Sequence, residues 1–142
     1  MCLLGMSSLA QTNAFDIVCD TYSSSFGWNG KENEPFTWKI HLSIDLSRGR
    51  WCARTQVTMG PDYSCSDSTS RILSVSDNYI TFHDGKEKEG AWDRTRYLSL
   101  NRSSGVLEMN YTDLYKGKPD FWMRYKANCE RRTFSDFTQR KF

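Results

Sequence analysis

The sequence predicts an all-β protein, an antiparallel up-and-down barrel or strongly curved meander of about eight strands held by two disulfides. Three observations predict it. Apolar and polar residues alternate without a break over "FTWKIHLSIDL" (36–46), the pattern of a strand with one buried face. Short segments with turn residues and glycine recur along the chain, and nowhere do apolar residues repeat at helical spacing over a useful length. Finally, cysteines lie near both ends of the strand-bearing region, as closure of first strand on last requires.

The first strand is expected in "AFDIVCDTY", with Phe15, Ile17 and Cys19 on one face. A polar, glycine-bearing loop, "SSSFGWNGKENEP", follows and carries Phe26 and Trp28. The long strand then places Phe36, Trp38, Ile40, Leu42, Ile44 and Leu46 inward and Thr37, Lys39, His41, Ser43 and Asp45 outward. "RWCARTQV" returns after Gly49, with Trp51, Ala53 and Val57 on one face and Cys52 on the other. "TMGPDYSCSDSTS" is a loop containing Gly60-Pro61-Asp62, a tight-turn sequence. "RILSV" and "YITFH" read as a hairpin, "DGKEKEGAWD" as a charged loop holding Trp92, and "RTRYLSLN" and "VLEMNYTD" as a second hairpin. "LYKGKPD" turns into a last strand ending at Cys129, beyond which Phe134 and Phe137 have the spacing of one helical turn packed on the body.

Two stretches nearly repeat one another, "SIDLSRGRW" (43–51) and "SLNRSSGVL" (99–107). Each has an Asp or Asn at the turn entry, where a short side chain can accept from local backbone N–H groups. Each has a glycine placed to take the positive φ that turns the chain back. A ligand site used twice would repeat ligand-type residues, and only arginines recur, so the repeat is architecture: two hairpins.

Of five cysteines, Cys2 lies in the N-terminal segment and Cys19, Cys52, Cys65 and Cys129 remain, at spacings of 33, 13 and 64 residues. No CxxC pair occurs, so zinc and dithiol redox motifs are not indicated. Strand parity points Cys19 and Cys129 toward the core and Cys52 outward beside the loop that bears Cys65. The expected pairs are Cys19–Cys129 and Cys52–Cys65. The first ten residues, "MCLLGMSSLA", are uncharged and end in a small-x-small pattern before Gln11, which reads as the remnant of a secretory signal peptide. Residues 11–129 then form the β-barrel domain and 130–142 a tail packing on it. Export and oxidised cysteines agree with one another, placing the protein in the periplasm or outside the cell. No apolar run reaches the length of a membrane span.

At 142 residues and 38% hydrophobic content the core is modest, with 14% aromatic residues supplying large buried areas. A formal charge of +2 gives no case for nucleic acid. From Lys116 onward eight Lys/Arg face three Asp/Glu, hence +5, against −3 before it; such an end reads as a solvated face. His41 and His83 read as surface histidines without a catalytic partner, and the cysteines are oxidised, so no catalytic residue, metal set or cofactor signature is identified. Phe26 and Trp28, set among serines and glycines, and Tyr63, on the loop closed by Cys52–Cys65, are the candidate partner-binding residues: either aromatic anchors on pre-organised loops or rings folded back over the barrel ends.

The succession "VCD", "IDLSRGRWC", "LSLNRSSGVL", "YKANCE" and an aromatic tail resembles small exported bacterial β-proteins of unknown function. More distantly, a small barrel closed by terminal cysteines is similar to periplasmic inhibitors of lysozyme or proteases and to lipocalin-like barrels. None of their site motifs matches here, so no residue role is carried over. The expected function is a monomeric, non-enzymatic β-barrel that binds another protein or an envelope component through its loops, inhibitor-like or envelope-associated. The alternatives are a lipocalin-like carrier of a small apolar ligand and a hydrolase whose carboxylates the sequence does not locate.

Overall fold

In a computed structural model the described residues are 13–57, 64–66 and 68–137. The segment 1–10, Gln11 and the Gly60-Pro61-Asp62 turn lie outside them. Ten strands form one sheet: β1 (Ala14–Trp28), β2 (Lys31–Glu32), β3 (Lys39–Asp45), β4 (Arg50–Ala53), β5 (Ser70–Arg71), β6 (Ser74–Val75), β7 (Tyr79–Glu89), β8 (Trp92–Asn101), β9 (Val106–Tyr115) and β10 (Lys118–Thr133). The order is β5-β4-β3-β1-β10-β9-β8-β7-β6, with β2 paired to β1. First and last long strands are therefore neighbours, and the all-β antiparallel meander with two disulfides, Cys19–Cys129 and Cys52–Cys65, is as expected.

Four segments differ from expectation. The "SSSFGW" stretch continues β1 to Trp28, and "DGKEKEGAWD" is the paired end of β7 and β8. Both lack apolar alternation, but pairing supplies what periodicity does not. Glu87 lies opposite Arg94 and Lys88 opposite Asp93, complementary cross-strand charges that favour the hairpin. The last strand runs on to Thr133. Conversely β3 starts only at Lys39, because Phe36 and Trp38 are held by side chains: Ser24 Oγ donates to the Phe36 carbonyl at 2.6 Å, and Thr21 Oγ1 accepts from the Trp38 amide at 2.8 Å.

The chain divides into two compact units, Met1–Val18, Ile40–Arg71 and Glu130–Phe142 in the first, Cys19–Lys39 and Ile72–Cys129 in the second. The first buries Phe15, Ile17, Ile40, Leu42, Ile44, Trp51 and Val57. Its polar strand face is buried too: Ser43, Asp45 and Cys52 are covered, where exposure was expected. The Arg54 side chain lies over Ser43, donating from Nε to its hydroxyl at 2.7 Å, and the Cys52–Cys65 bond draws its loop across β4, with the Cys65 amide donating to the Ala53 carbonyl at 2.9 Å. The second unit buries Ile80, Phe82, Leu98, Leu100, Leu107, Met109, Met123, Tyr125 and Ala127 along β7 to β10.

The near-repeat is two hairpins. Asp45 Oδ1 accepts from the amides of Ser47 at 3.0 Å and Arg48 at 3.2 Å; Asn101 Oδ1 accepts from Ser103 at 2.9 Å and Ser104 at 3.0 Å. Gly49 and Gly105 have φ of +66° and +73°, a region that costs other L-residues strain.

Candidate functional site

Strand pairing in the second unit lays side chains in rows across the core-bearing face of β7, β8, β9 and β10, because directly opposed residues share a face. The innermost row is Ile80, Leu100, Leu107 and Ala127, wholly apolar. The next holds His83, Leu98, Met109 and Tyr125, with a bulge at Phe82. Gly85, Arg96, Tyr111 and Met123 follow, then Glu87, Arg94, Asp113 and Phe121, and last Glu89, Trp92, Tyr115 and Lys118 at the hairpin ends. The face thus changes along the strands from aliphatic to charged and aromatic.

Its charges are unevenly paired. Arg94 Nε bonds Asp113 Oδ1 at 2.9 Å, and the Tyr111 hydroxyl donates to Asp113 Oδ2 at 3.1 Å. This bond to Asp113 raises the Arg94 pKa, and burial first, then the Asp113 charge, raises that of Tyr111. Among the described residues Arg96 has no carboxylate partner; its guanidinium carbon stands 5.7 Å from the centre of the Tyr111 ring. His83 is part-buried rather than on the surface, and burial, reinforced by the Arg96 charge, lowers its pKa to about 4.

Aromatic rings crowd the same end. Trp92 and Tyr115 are opposed residues with ring centres 4.9 Å apart, 36% and 42% exposed, and Lys116 Nζ lies 5.4 Å over the Tyr115 ring. Trp28, at the end of β1, is 54% exposed and meets Phe121 edge-on at 5.4 Å. Phe26 is half-buried instead, against Phe36 at 5.7 Å, in a cluster with Trp38 and Tyr125. Of the sequence candidates, then, Trp28 is an exposed ring and Phe26 a half-buried one. Tyr63 lies outside the described residues. Trp92 and Tyr115 were missed because their strands read as charged loop and turn; the signal was the complementary charge of "KEKE" and "DRTR". A depression of about 240 Å³ is lined by Tyr22, Tyr79, Tyr97, Ser99 and Asn101, among others.

The first unit holds a different polar cluster. Asp16, fully buried, bonds His41 Nε2 at 2.6 Å and accepts from both the amide of Ser135, at 3.1 Å, and its hydroxyl. Serine, histidine and aspartate are the residue types of a hydrolytic triad, but both partners reach the same carboxylate. No hydrogen bond joins Ser135 to His41 among the described residues, so the histidine has no serine to activate. Burial works to raise the Asp16 pKa, but the bonds from Ser135 and His41 outweigh it and the pKa is lowered. Arg54 donates to the Asp136 carbonyl at 2.5 Å, Phe134 and Phe137 meet edge-on at 5.2 Å, and Arg48 lies 6.0 Å from the Phe137 ring. The cluster holds the tail in an extended turn instead of the expected helical one.

Among the described residues no group of three His, Cys, Asp or Glu side chains could hold a metal ion, and no helix is long and apolar enough to cross a membrane. No protein-family model matches the chain, and neither a curated protein nor a solved structure is significantly similar to it.

Proposed function

We propose that this chain is an exported, disulfide-stapled β-protein that binds another macromolecule, by its hairpin ends and not by chemistry on a substrate. The observation that carries the reading is the exposure of three rings, Trp28, Trp92 and Tyr115, each beside a tight turn. Large rings left in water at rigid turns are costly to a monomer and well suited to a partner, since aromatic anchors on pre-ordered segments lose little entropy on binding. The turns are ordered by backbone geometry: Asn29-Gly30 and Lys116-Gly117 both take two successive positive φ values, as two-residue hairpins of this type require. Export is supported by two disulfides, which persist in oxidising compartments.

The test is retention of a partner from the native host's extracellular or envelope fraction on immobilised protein, compared with W28A and the W92A/Y115A double variant. A partner identified with the wild type should lose at least about ten-fold in affinity to each variant, since central aromatic anchors are worth roughly 2 kcal/mol or more. Equal retention by all three proteins would remove these rings from the interface and the reading with them.

A further inference from the structure

The face of the second unit that turns away from its core carries two adjoining depressions. Thr81, Ser99, Glu108 and Lys126 oppose one another across β7, β8, β9 and β10. They are one position out of phase with the core row of Ile80, Leu100, Leu107 and Ala127, so they point the other way. One depression, of about 240 Å³, is walled by Tyr22 of β1, Tyr79 of β7 and Tyr97 of β8. The other, of about 320 Å³, lies among Ser23 and Ser25 of β1, Asn110 of β9 and Arg124 of β10. Glu108 and Lys126 line both, so the two meet at that pair. The first has a covered floor: Ser99 is 2% exposed although it lies on this outward face, and its hydroxyl donates to the Ile80 carbonyl at 3.2 Å. Two of its walls are open to solvent, Tyr22 at 55% and Tyr79 at 46%. Asn101, opposite Tyr79, donates from Nδ2 to its hydroxyl at 3.4 Å, while its own Oδ1 holds the β8–β9 turn. That ring is therefore set in place before any ligand arrives.

The bonding capacity of this groove is unused. Lys126 faces Glu108 across the strands, yet among the described residues neither side chain has an ion pair or hydrogen bond. The hydroxyls of Tyr22 and Tyr97 and the side-chain amide of Asn110 are likewise unbonded among them. Arg124 is turned over the Trp122 ring at 5.5 Å, so the centre balances one carboxylate against one ammonium. A polyanion finds no cationic stripe there, and an apolar ligand would strand the polar groups. The set suits a molecule with many hydroxyls, each both donor and acceptor. Such a molecule should also have flat C–H faces to lie on aromatic rings, whose faces carry partial negative charge.

We propose that this groove binds a short neutral oligosaccharide, one sugar against Tyr22 and Tyr79 and the next beside Ser25 and Asn110, with Glu108 and Lys126 bonding the hydroxyls between them. Ligand pockets run from roughly 300 Å³ upward, so each depression suits a single ring and the pair calls for at least two. The site does not depend on the exposed rings at the hairpin ends.

NMR shifts should be followed while the oxidised protein is titrated with glucose, maltotriose, cellotriose, N-acetylglucosamine and chitotriose. A heparin hexasaccharide and a proline-rich decapeptide serve as rival ligands. At least one trisaccharide should saturate, shift the amides of Ser99, Glu108 and Lys126, and bind about ten-fold or more tighter than its own monosaccharide. Y22A and Y79A should each weaken it about three- to ten-fold, the effect of one aromatic contact. E108Q should weaken it about ten-fold, the effect of a hydrogen bond to a charged group. Unmoved methyl signals of the buried Leu107 and Met123 certify the fold of each variant. W92A/Y115A should bind the sugar as the wild type does, which separates this site from the hairpin ends. Failure of all three trisaccharides by tens of millimolar, undiminished binding by Y22A, Y79A and E108Q, or tighter uptake of the heparin fragment or the peptide in this groove would each overturn the proposal.

Discussion

Asp16 shows how a single buried residue can tie distant segments together. It sits between Phe15 and Ile17, which are core residues, so alternation sends its side chain to the other face of β1. There it is buried and supplied with donors from His41 and Ser135, the second lying 119 residues away in sequence. A carboxylate held below its ordinary pKa stabilises the fold when ionised. That contribution is present in full above the unfolded value, about 4 for aspartate, and is lost as pH falls through the lower folded value. D16N should therefore unfold at lower urea at pH 7, by about 1–3 kcal/mol, the cost of leaving buried partners unsatisfied. The wild type should converge on it as the medium is acidified below about pH 4. Parallel stability profiles for the two proteins from neutral to acid pH would show that the Asp16 charge does not hold the tail. None of this was legible in the sequence, where Asp16 and His41 lie 25 residues apart.

The paired hairpins are the opposite case, local structure read correctly from local residues. An Asp or Asn at the turn entry and a glycine four residues on were enough, because caps and positive φ are short-range physics. Long-range pairing was not so accessible. The ends of β7 and β8 carry charges in place of apolar alternation, and only the register, with Glu87 facing Arg94, reveals why they extend. The buried face of β3 was hidden for the same reason: Ser43 and Asp45 are polar in sequence and covered in space. The two turn glycines also differ in a testable way. Both sit at positive φ, but a methyl group at Gly49 would meet open space, whereas at Gly105 it would come within 3.2 Å of the Cys129 carbonyl oxygen. G49A should cost about 1 kcal/mol of backbone strain, and G105A should cost more, because a backbone atom cannot step aside as a side-chain end can. Denaturant midpoints for the two variants decide it; equal losses would mean that the β10 backbone yields at Cys129.

At the scale of the whole chain, the disulfides differ in what they close. Cys19–Cys129 spans 110 residues and Cys52–Cys65 spans 13. The long bond joins β1 to β10, neighbours in the sheet that lie at opposite ends of the strand sequence. Bringing such distant segments together is the entropic burden of this topology, and a covalent link lifts it by restricting the unfolded chain. The short bond instead pins one loop to β4. On chain-entropy grounds the first is worth roughly 4–5 kcal/mol and the second about 3. For a domain of this size, either is a large part of the usual stability of about 5–15 kcal/mol. Replacing each pair by alanines separates the two, since neither double variant leaves an unpaired thiol at the site. C19A/C129A should lose the more stability in equilibrium denaturation, and should refold more slowly, because the two strands must then find each other across the full loop. If C52A/C65A proved the more damaging, the loop it anchors would carry more of the first unit's packing than its length implies, and loop closure would not be the main service of the long bond.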